Sequence, residues 1–451
     1  TGGYTLTSSI TMGIFDMGEP TNRVVVRGST NMAAGGSVLG NFGFNLTGLK
    51  GIELRDMKIT NSAVGVYVSG SSGMLLHGLE AVGCTNGFQI LGSSSEDVTL
   101  RQCAARGGQQ GLYVQTSASV TWENGLLWSN AYGVYLNQAS LDFRNSVVGA
   151  LKAGQYAFYY RPGSLTSDYN VVYLTNGAYA GNFVPTSGGT ITTYENVSRW
   201  VRGFGFDRHS LSHAPGFYSA ASNDFHALSP AGRYMSGSGY MTNAAEALSI
   251  LVDSGDPLSD VADETLPNGS RINIGRYGGS GQSSLSPTNA RLIAVSLNDG
   301  GRAEGVKELT WVASGDATGH TVSIEFSHDA GVTWTTLVSA VAAMDETWIW
   351  DTTLVPSTPV GVWRVTSTND PSVSDTNDTL FAVRNDPLFY YVNDSSTNGD
   401  VYCSATGTNS NTGAFSNAPK ASVQDVINTY DLEPGDTIYV DTGIYPLTAS
   451  I

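Results

Sequence analysis

The stretch from Gly51 to Leu136 repeats itself, and the repeat leaves few folds open to it. Counted from Gly65, Gly87, Gly111 and Gly133, the positions thirteen residues earlier are Ile52, Met74, Val98 and Val120, and those eleven earlier are Leu54, Leu76, Leu100 and Trp122. Directly after the glycines stand Val66, Phe88, Leu112 and Val134, and two further on Val68, Ile90, Val114 and Leu136. Polar-tolerant columns lie between: Glu53, Leu75, Thr99 and Thr121, then Arg55, His77, Arg101 and Glu123. Such alternation predicts short strands whose side chains point in and out by turns.

The glycines are spaced by 22, 24 and 22 residues, one coil each of a parallel β-helix, a solenoid whose coils stack at the strand spacing. The two extra residues fall in the polar turn Ser93 to Asp97, which can bulge without moving the strands. A single coil cannot bury its inward face, so stacking equal apolar residues into ladders is what makes a core. A sandwich also alternates, but it gives no reason for the same offsets to recur over four units. Leucine-rich repeats have a similar period, but their leucine and asparagine consensus is missing.

Composition agrees with a turn-rich all-β chain: 14% charged residues and 54 glycines in 451. A formal net charge of -17 repels nucleic-acid phosphates and anionic membrane surfaces, and no run reaches the roughly 18 apolar residues of a membrane span. Cys84, Cys103 and Cys403 form no even framework and read as buried thiols. The start Thr1-Gly2-Gly3-Tyr4 points to a removed leader or to a segment of something larger.

In chain order, residues 1–50 read as early coils, with strands Tyr4 to Met12 and Arg23 to Arg27, and Leu141, Phe143 and Val147 mark one more coil, with Gly154 at the turn position. A short helix is expected near Tyr194 to Val201. Asp224 to Leu228, Ala231 to Tyr234, Asp253 to Pro257 and Pro267 to Gly279 together resemble the closing coils of right-handed β-helix proteins from large bacterial surface proteins. That resemblance implies a β-helix over 1–283, an extracellular or cell-surface setting, and a closing cap. Residues 288–385 have strands at the spacing of an immunoglobulin- or fibronectin-like sandwich: Glu308 to Val312, Thr321 to Phe326, Trp334 to Val338, Thr347 to Asp351 and Gly361 to Thr366. Residues 386–451 offer a strand at Phe389 to Val392, a capping box at Ser422 to Asp425 with a short helix after it, and a strand at Thr437 to Val440. They resemble the opening of a pectate-lyase-like β-helix, although they stand at the far end of the chain.

Candidate chemistry is thin. The outward row Arg55, His77, Arg101, Glu123, Arg144 and its neighbour Asp56, Gly78, Gln102, Asn124, Asn145 lack the acidic pair that glycoside hydrolysis needs and the Ca²⁺ cluster a lyase would want. Ser327 to Trp334 matches the Asp-box hairpin found in sialidases, a structural turn. Tyr67, Tyr113 and Tyr135 fall in one outward row. Stacked, they brace the coils; exposed, they offer a recognition face for a glycan or another chain. Loop aspartates Asp370, Asp375 and Asp378, or Asp386, Asp394 and Asp400, are oxygen-rich enough for Ca²⁺, though solvated acidic loops look the same; no other cofactor is implied. Two functions remain: a non-catalytic extracellular structural or adhesive repeat protein, or a polysaccharide lyase or hydrolase on the same scaffold. For the first, Ile438, Val440 and Ile444 of one copy are expected to meet Thr5 and Leu6 of the next, the tail to Ile451 running into Thr1, so that copies join head to tail.

Overall fold

The computed structural model describes residues 2–29, 37–41 and 43–445. They divide into two compact units, residues 1–291 with 312–318, and residues 292–311 with 319–451. The chain is all-β, with two short α-helices, α1 (Val197–Phe204) and α2 (Val423–Thr429), among the described residues.

The first unit is a parallel β-helix. Each coil lays one strand in each of three sheets; Val64–Ser69, Ser72–His77 and Glu80–Val82 make one coil, Asn86–Leu91, Glu96–Arg101 and Ala104–Arg106 the next. At the corner between the second and third strands Asp56, Gly78, Gln102, Asn124, Asn145 and Tyr169 all take left-handed backbone, φ between 49° and 63°. One such residue turns the chain sharply, which favours glycine and short polar side chains. This corner explains the polar column in the sequence.

Register bears out the inward ladders. Leu54, Leu76, Leu100, Trp122 and Phe143 stand over one another, as do Val66, Phe88, Leu112, Val134 and Phe158, and all ten are buried. The repeat's glycines have a steric cause: a Cβ at Gly65, Gly87, Gly111 or Gly133 would sit 2.5 to 2.8 Å from the carbonyl oxygen of the equivalent residue one coil on. After Gly133 that residue is Ala157, so Ala157 and not Gly154 continues the column.

The coils number fewer than the roughly eleven that a β-helix reaching residue 283 would hold. Among the described residues the longest purely parallel sheet has 8 strands and ends at Val171–Leu174. Helix α1 closes this end. Asn196 caps its start and Gly205, in left-handed backbone, its finish. Trp200 lies flat on Phe158, ring centroids 5.2 Å apart, in space left by Gly181, where a Cβ would come within 2.7 Å of the indole. Buried Asp207 accepts from the Trp200 Nε1–H at 3.0 Å.

The segment after α1 corrects an expectation. Residues 224–279 add no coil; Phe217–Ser219 with Asp224–Ala227, and Arg233–Met235 with Gly239–Met241, form antiparallel hairpins, and the rest is turns. The segment runs back along the flank of the solenoid. Phe217 and Phe225 meet Trp128 edge-on, at 5.3 and 5.9 Å. The corner amides hook the returning backbone: Gln102 Nε2 donates to the Gly279 carbonyl at 2.7 Å, Asn124 Nδ2 to that of Asn273 at 2.9 Å, and Asn145 Oδ1 accepts from the Asp256 N–H at 2.7 Å.

The second unit holds most of a sheet of Arg291–Ala294, Val306–Ser314 and Thr347–Asp351, and a larger one built mainly from Thr321–Ser327, Thr335–Ala342, Thr358–Ser367 and Phe381–Val383. Each strand expected between Glu308 and Thr366 appears, most of them longer by a few residues. The sheets meet through Trp350, which packs on Phe326 at 5.0 Å and Phe381 at 6.3 Å. In the tail, Phe389–Val392 and Thr437–Val440 pair in parallel, with α2 packed over them through Val426. Ser422 Oγ caps α2 by accepting from the Asp425 N–H at 3.1 Å, but the Asp425 carboxylate pairs with Lys420 and does not close the box.

Candidate recognition face

The three sheets present three outer faces, and they differ. The face of Glu80–Val82 and its equivalents lies under the returning segment. There Glu80 is gripped by Arg106 at 2.9 Å and Arg276 at 3.3 Å; burial alone would raise its pKa, but Arg276 and then the Arg106 hydrogen bond outweigh it and hold it down at about 2. The second face carries the stacked row Arg55, His77, Arg101, Glu123 and Arg144. Its charges are spent locally: Arg55 on Glu53 at 2.9 Å, Arg101 Nε on Glu123 at 2.9 Å, Arg144 on Asp142, while Asp56 pairs with Arg27 at 2.9 Å. Burial, and then Arg55, lower the His77 pKa.

The third face is aromatic and open. One row runs Asn45, Tyr67, Gln89, Tyr113, Tyr135, Tyr159, Asn182. The row beside it runs Asn86, Gln110, Tyr132, Tyr156, Tyr179, and the next Ser69, Leu91, Gln115, Asn137, Arg161. The tyrosines are all part-exposed. Tyr135 and Tyr159 stack at 3.9 Å, and Tyr132, Tyr156 and Tyr179 follow one another in near-parallel planes at 5.4 and 5.1 Å, while Tyr132 stands edge-on to Tyr135 and Tyr159 at 84° and 83°. Tyr113 breaks the stack: its ring stands at 88° to Tyr135, and its hydroxyl reaches along the strand to Gln115. Burial first, then a hydrogen bond to Tyr159, keep the Tyr135 phenol above its usual range. With Arg161 as the charged side chain of these rows, this face can donate, accept and stack, but the rows hold no acid-base pair.

Residues 18–196 match the family model for the right handed beta helix region. This stretch is similar to right-handed β-helix regions, and in the structure it forms the parallel coils. A comparison with curated proteins finds no match.

Tyr159, Tyr132, Tyr156 and Tyr179 were not anticipated as part of this β-helix face. Moving the column from Gly154 to Ala157 puts Tyr156 and Tyr159 beside Tyr132 and Tyr135, and that signal lies in the sequence. The loop aspartates are used one at a time. Asp370 Oδ1 accepts from the Ser372 N–H at 3.0 Å, Asp375 from Ala294 N–H at 2.7 Å, and Asp378 from Asn298 Nδ2 at 3.1 Å. Asp394 accepts from the Ser396 N–H at 2.7 Å, Asp400 from Asn393 Nδ2 at 2.6 Å, and Asp386 is placed through its own N–H on Ser357 Oγ at 3.0 Å. Among the described residues no group of three or more His, Cys, Asp and Glu side chains is arranged to hold a metal ion. The Asp-box forms as a hairpin: Asp329 Oδ1 accepts from Ser327 Oγ at 2.7 Å and from the Thr333 N–H at 2.8 Å, and Trp334 Nε1 donates to the Gly331 carbonyl.

Of the residues expected between copies, Ile438 is half-buried against the tail's core, Val440 is 39% exposed and Ile444 85%. Thr5 is exposed and Leu6 packs on the coil core. The expected join of Pro446 to Ile451 with Thr1 lies outside the described residues.

Proposed function

We propose that this is a non-catalytic extracellular structural and adhesive protein whose copies join head to tail, the segment 386–451 completing the β-helix of the next copy. The observation that carries this reading is a pair of unpaired parallel strand edges. Among the described residues Thr437–Val440 pairs only with Phe389–Val392, and Gly2–Thr5 only with Ser37–Gly40. Apolar side chains stand exposed beside both edges, Val440 and Ile444 at one, Tyr4 at the other. Open edges of this kind recruit further strands, and a head-to-tail contact between unlike surfaces generates an open fibre. Copies linked in one longer chain and separate copies use the same contact.

Support for a non-catalytic reading comes from how the polar groups are spent. Glu123, Asp142 and Asp56 each serve an arginine, and Gln102, Asn124 and Asn145 hold the return segment. Sedimentation velocity over a concentration series tests assembly: a growing ladder of species is expected, abolished by Ile444→Lys, and a monomer at every concentration would defeat the assembly reading. Unsaturated or reducing ends appearing in acidic polysaccharides incubated with the protein would defeat the non-catalytic one.

A further inference from the structure

We infer that the tyrosine face binds an uncharged polysaccharide chain laid along the coil axis, with Tyr67 and Tyr113 as its principal contacts. The inference deepens the adhesive part of the proposed function and is independent of assembly, since the face runs along the coils and not at their ends.

Charge is the first argument. The chain has 61 charged side chains, 22 basic and 39 acidic, yet the three rows of this face contain one, Arg161, whose Nη2 donates to the Thr186 carbonyl at 3.1 Å. Everything else there is tyrosine, amide, hydroxyl or apolar. A surface cleared of carboxylates on a chain of net charge -17 offers nothing to a polycation, and the chain's overall field opposes a polyanion. A neutral polyhydroxylated chain meets neither penalty, and it asks for what the face supplies: aromatic rings against its C–H faces and amides for its hydroxyls.

The stacking pattern then selects the contacts. Tyr135 with Tyr159, and Tyr132 with Tyr156 and Tyr179, form two rows of near-parallel rings that brace each other edge to face and make a packed ridge. The ridge ends at Tyr113, which meets Tyr135 edge-on at 4.9 Å, and at Gln110 and Gln89, which replace tyrosine in the two rows. Tyr67 stands two coils from Tyr113 across Gln89, roughly 9.5 Å at the strand spacing, the scale of a disaccharide. Asn86 Nδ2 donates to Gln89 Oε1 at 2.9 Å, which fixes the amide between them. Tyr113, the last ring of the ridge, and Tyr67 therefore flank a floor of ordered amides.

Native affinity electrophoresis of the full chain through gels containing hydroxyethylcellulose, xyloglucan or galactomannan, with polygalacturonate as the charged counterpart, tests this. At least one neutral polymer is expected to retard the protein, with polygalacturonate without effect. Tyr67→Ala with Tyr113→Ala should weaken retardation at least tenfold. Gln89→Glu, which leaves every ring in place and sets a carboxylate on the floor, should do the same at an unchanged melting temperature. Passage unretarded through all three neutral gels, stronger retardation by polygalacturonate, or retardation indifferent to Gln89→Glu would each overturn the inference. If the double tyrosine variant does not fold, Gln89→Glu decides alone.

Discussion

Two glutamates in the β-helix unit, Glu80 partly and Glu264 fully buried, show how the same side chain takes opposite roles. Glu80 sits between two arginines and is held at about 2; its folded pKa is depressed, so its contribution to stability is present above the unfolded value and is lost as pH falls through about 2. Glu264 accepts the Asn273 N–H at 2.9 Å and the Gly279 N–H at 2.7 Å, but its Oε2 is buried without a partner, and burial pushes its pKa up to about 7. A raised carboxyl pKa means the folded state prefers the proton. Its ionisation costs nothing below about pH 4.5, costs progressively more as pH rises toward 7, and the full penalty persists above that. Glu264→Gln keeps an acceptor for both N–H groups and removes the charge, so urea melts at pH 8 should show a gain on the order of 2 kcal/mol that disappears near pH 4. Glu80→Gln should instead cost about 3 kcal/mol at pH 8 by leaving two arginines unmatched. A gain at pH 4 equal to that at pH 8 would dissociate Glu264 from its burial. At the glycine column, Gly111→Val places carbon within 2.8 Å of the Gly133 carbonyl oxygen and Leu127, and a loss of about 2 kcal/mol or more is expected in the same melts.

Elements were legible where a local rule fixes them. Offsets of two along Ile52, Leu54 and their equivalents gave the strands, Ser422 gave the start of α2, and Thr437 to Val440 and Phe389 to Val392 carried enough β-branched and aromatic residues to be bounded correctly. The return segment was not legible, because what holds it is not periodic. Its hydrogen bonds come from Gln102, Asn124 and Asn145, more than a hundred residues away, and its backbone runs in turns. A resemblance to closing coils therefore placed the cap in residues 224–279, whereas α1 provides it. Trp200 is the element's anchor: Trp200→Ala strips the ring from Phe158 and leaves Asp207 without its indole donor. About 3–5 kcal/mol of destabilisation is expected in chemical denaturation, with fraying confined first to the coils around Phe158 by hydrogen exchange. Uniform loss of protection over all coils would show that α1 is not a local cap.

At the scale of the whole molecule the central claim is that an open edge in the tail and an open edge at the first coil belong together. Neither edge is visible in composition; each appears only when register shows which strands have one neighbour. The tyrosine rows were partly visible from the sequence for the opposite reason, since Tyr67, Tyr113 and Tyr135 share an offset from the glycines, and their remainder was hidden by one misplaced column. The direct test is a photo-crosslinker placed at Ile444, which is exposed, in an equal mixture of unlabelled and ¹⁵N-labelled protein. Cross-linked peptides of mixed isotope joining the Ile444 position to the stretch from Gly2 to Ile10 are predicted, increasing with concentration. Cross-links of a single isotope only, or mixed ones that never fall in the first coil, would contradict head-to-tail completion of the β-helix.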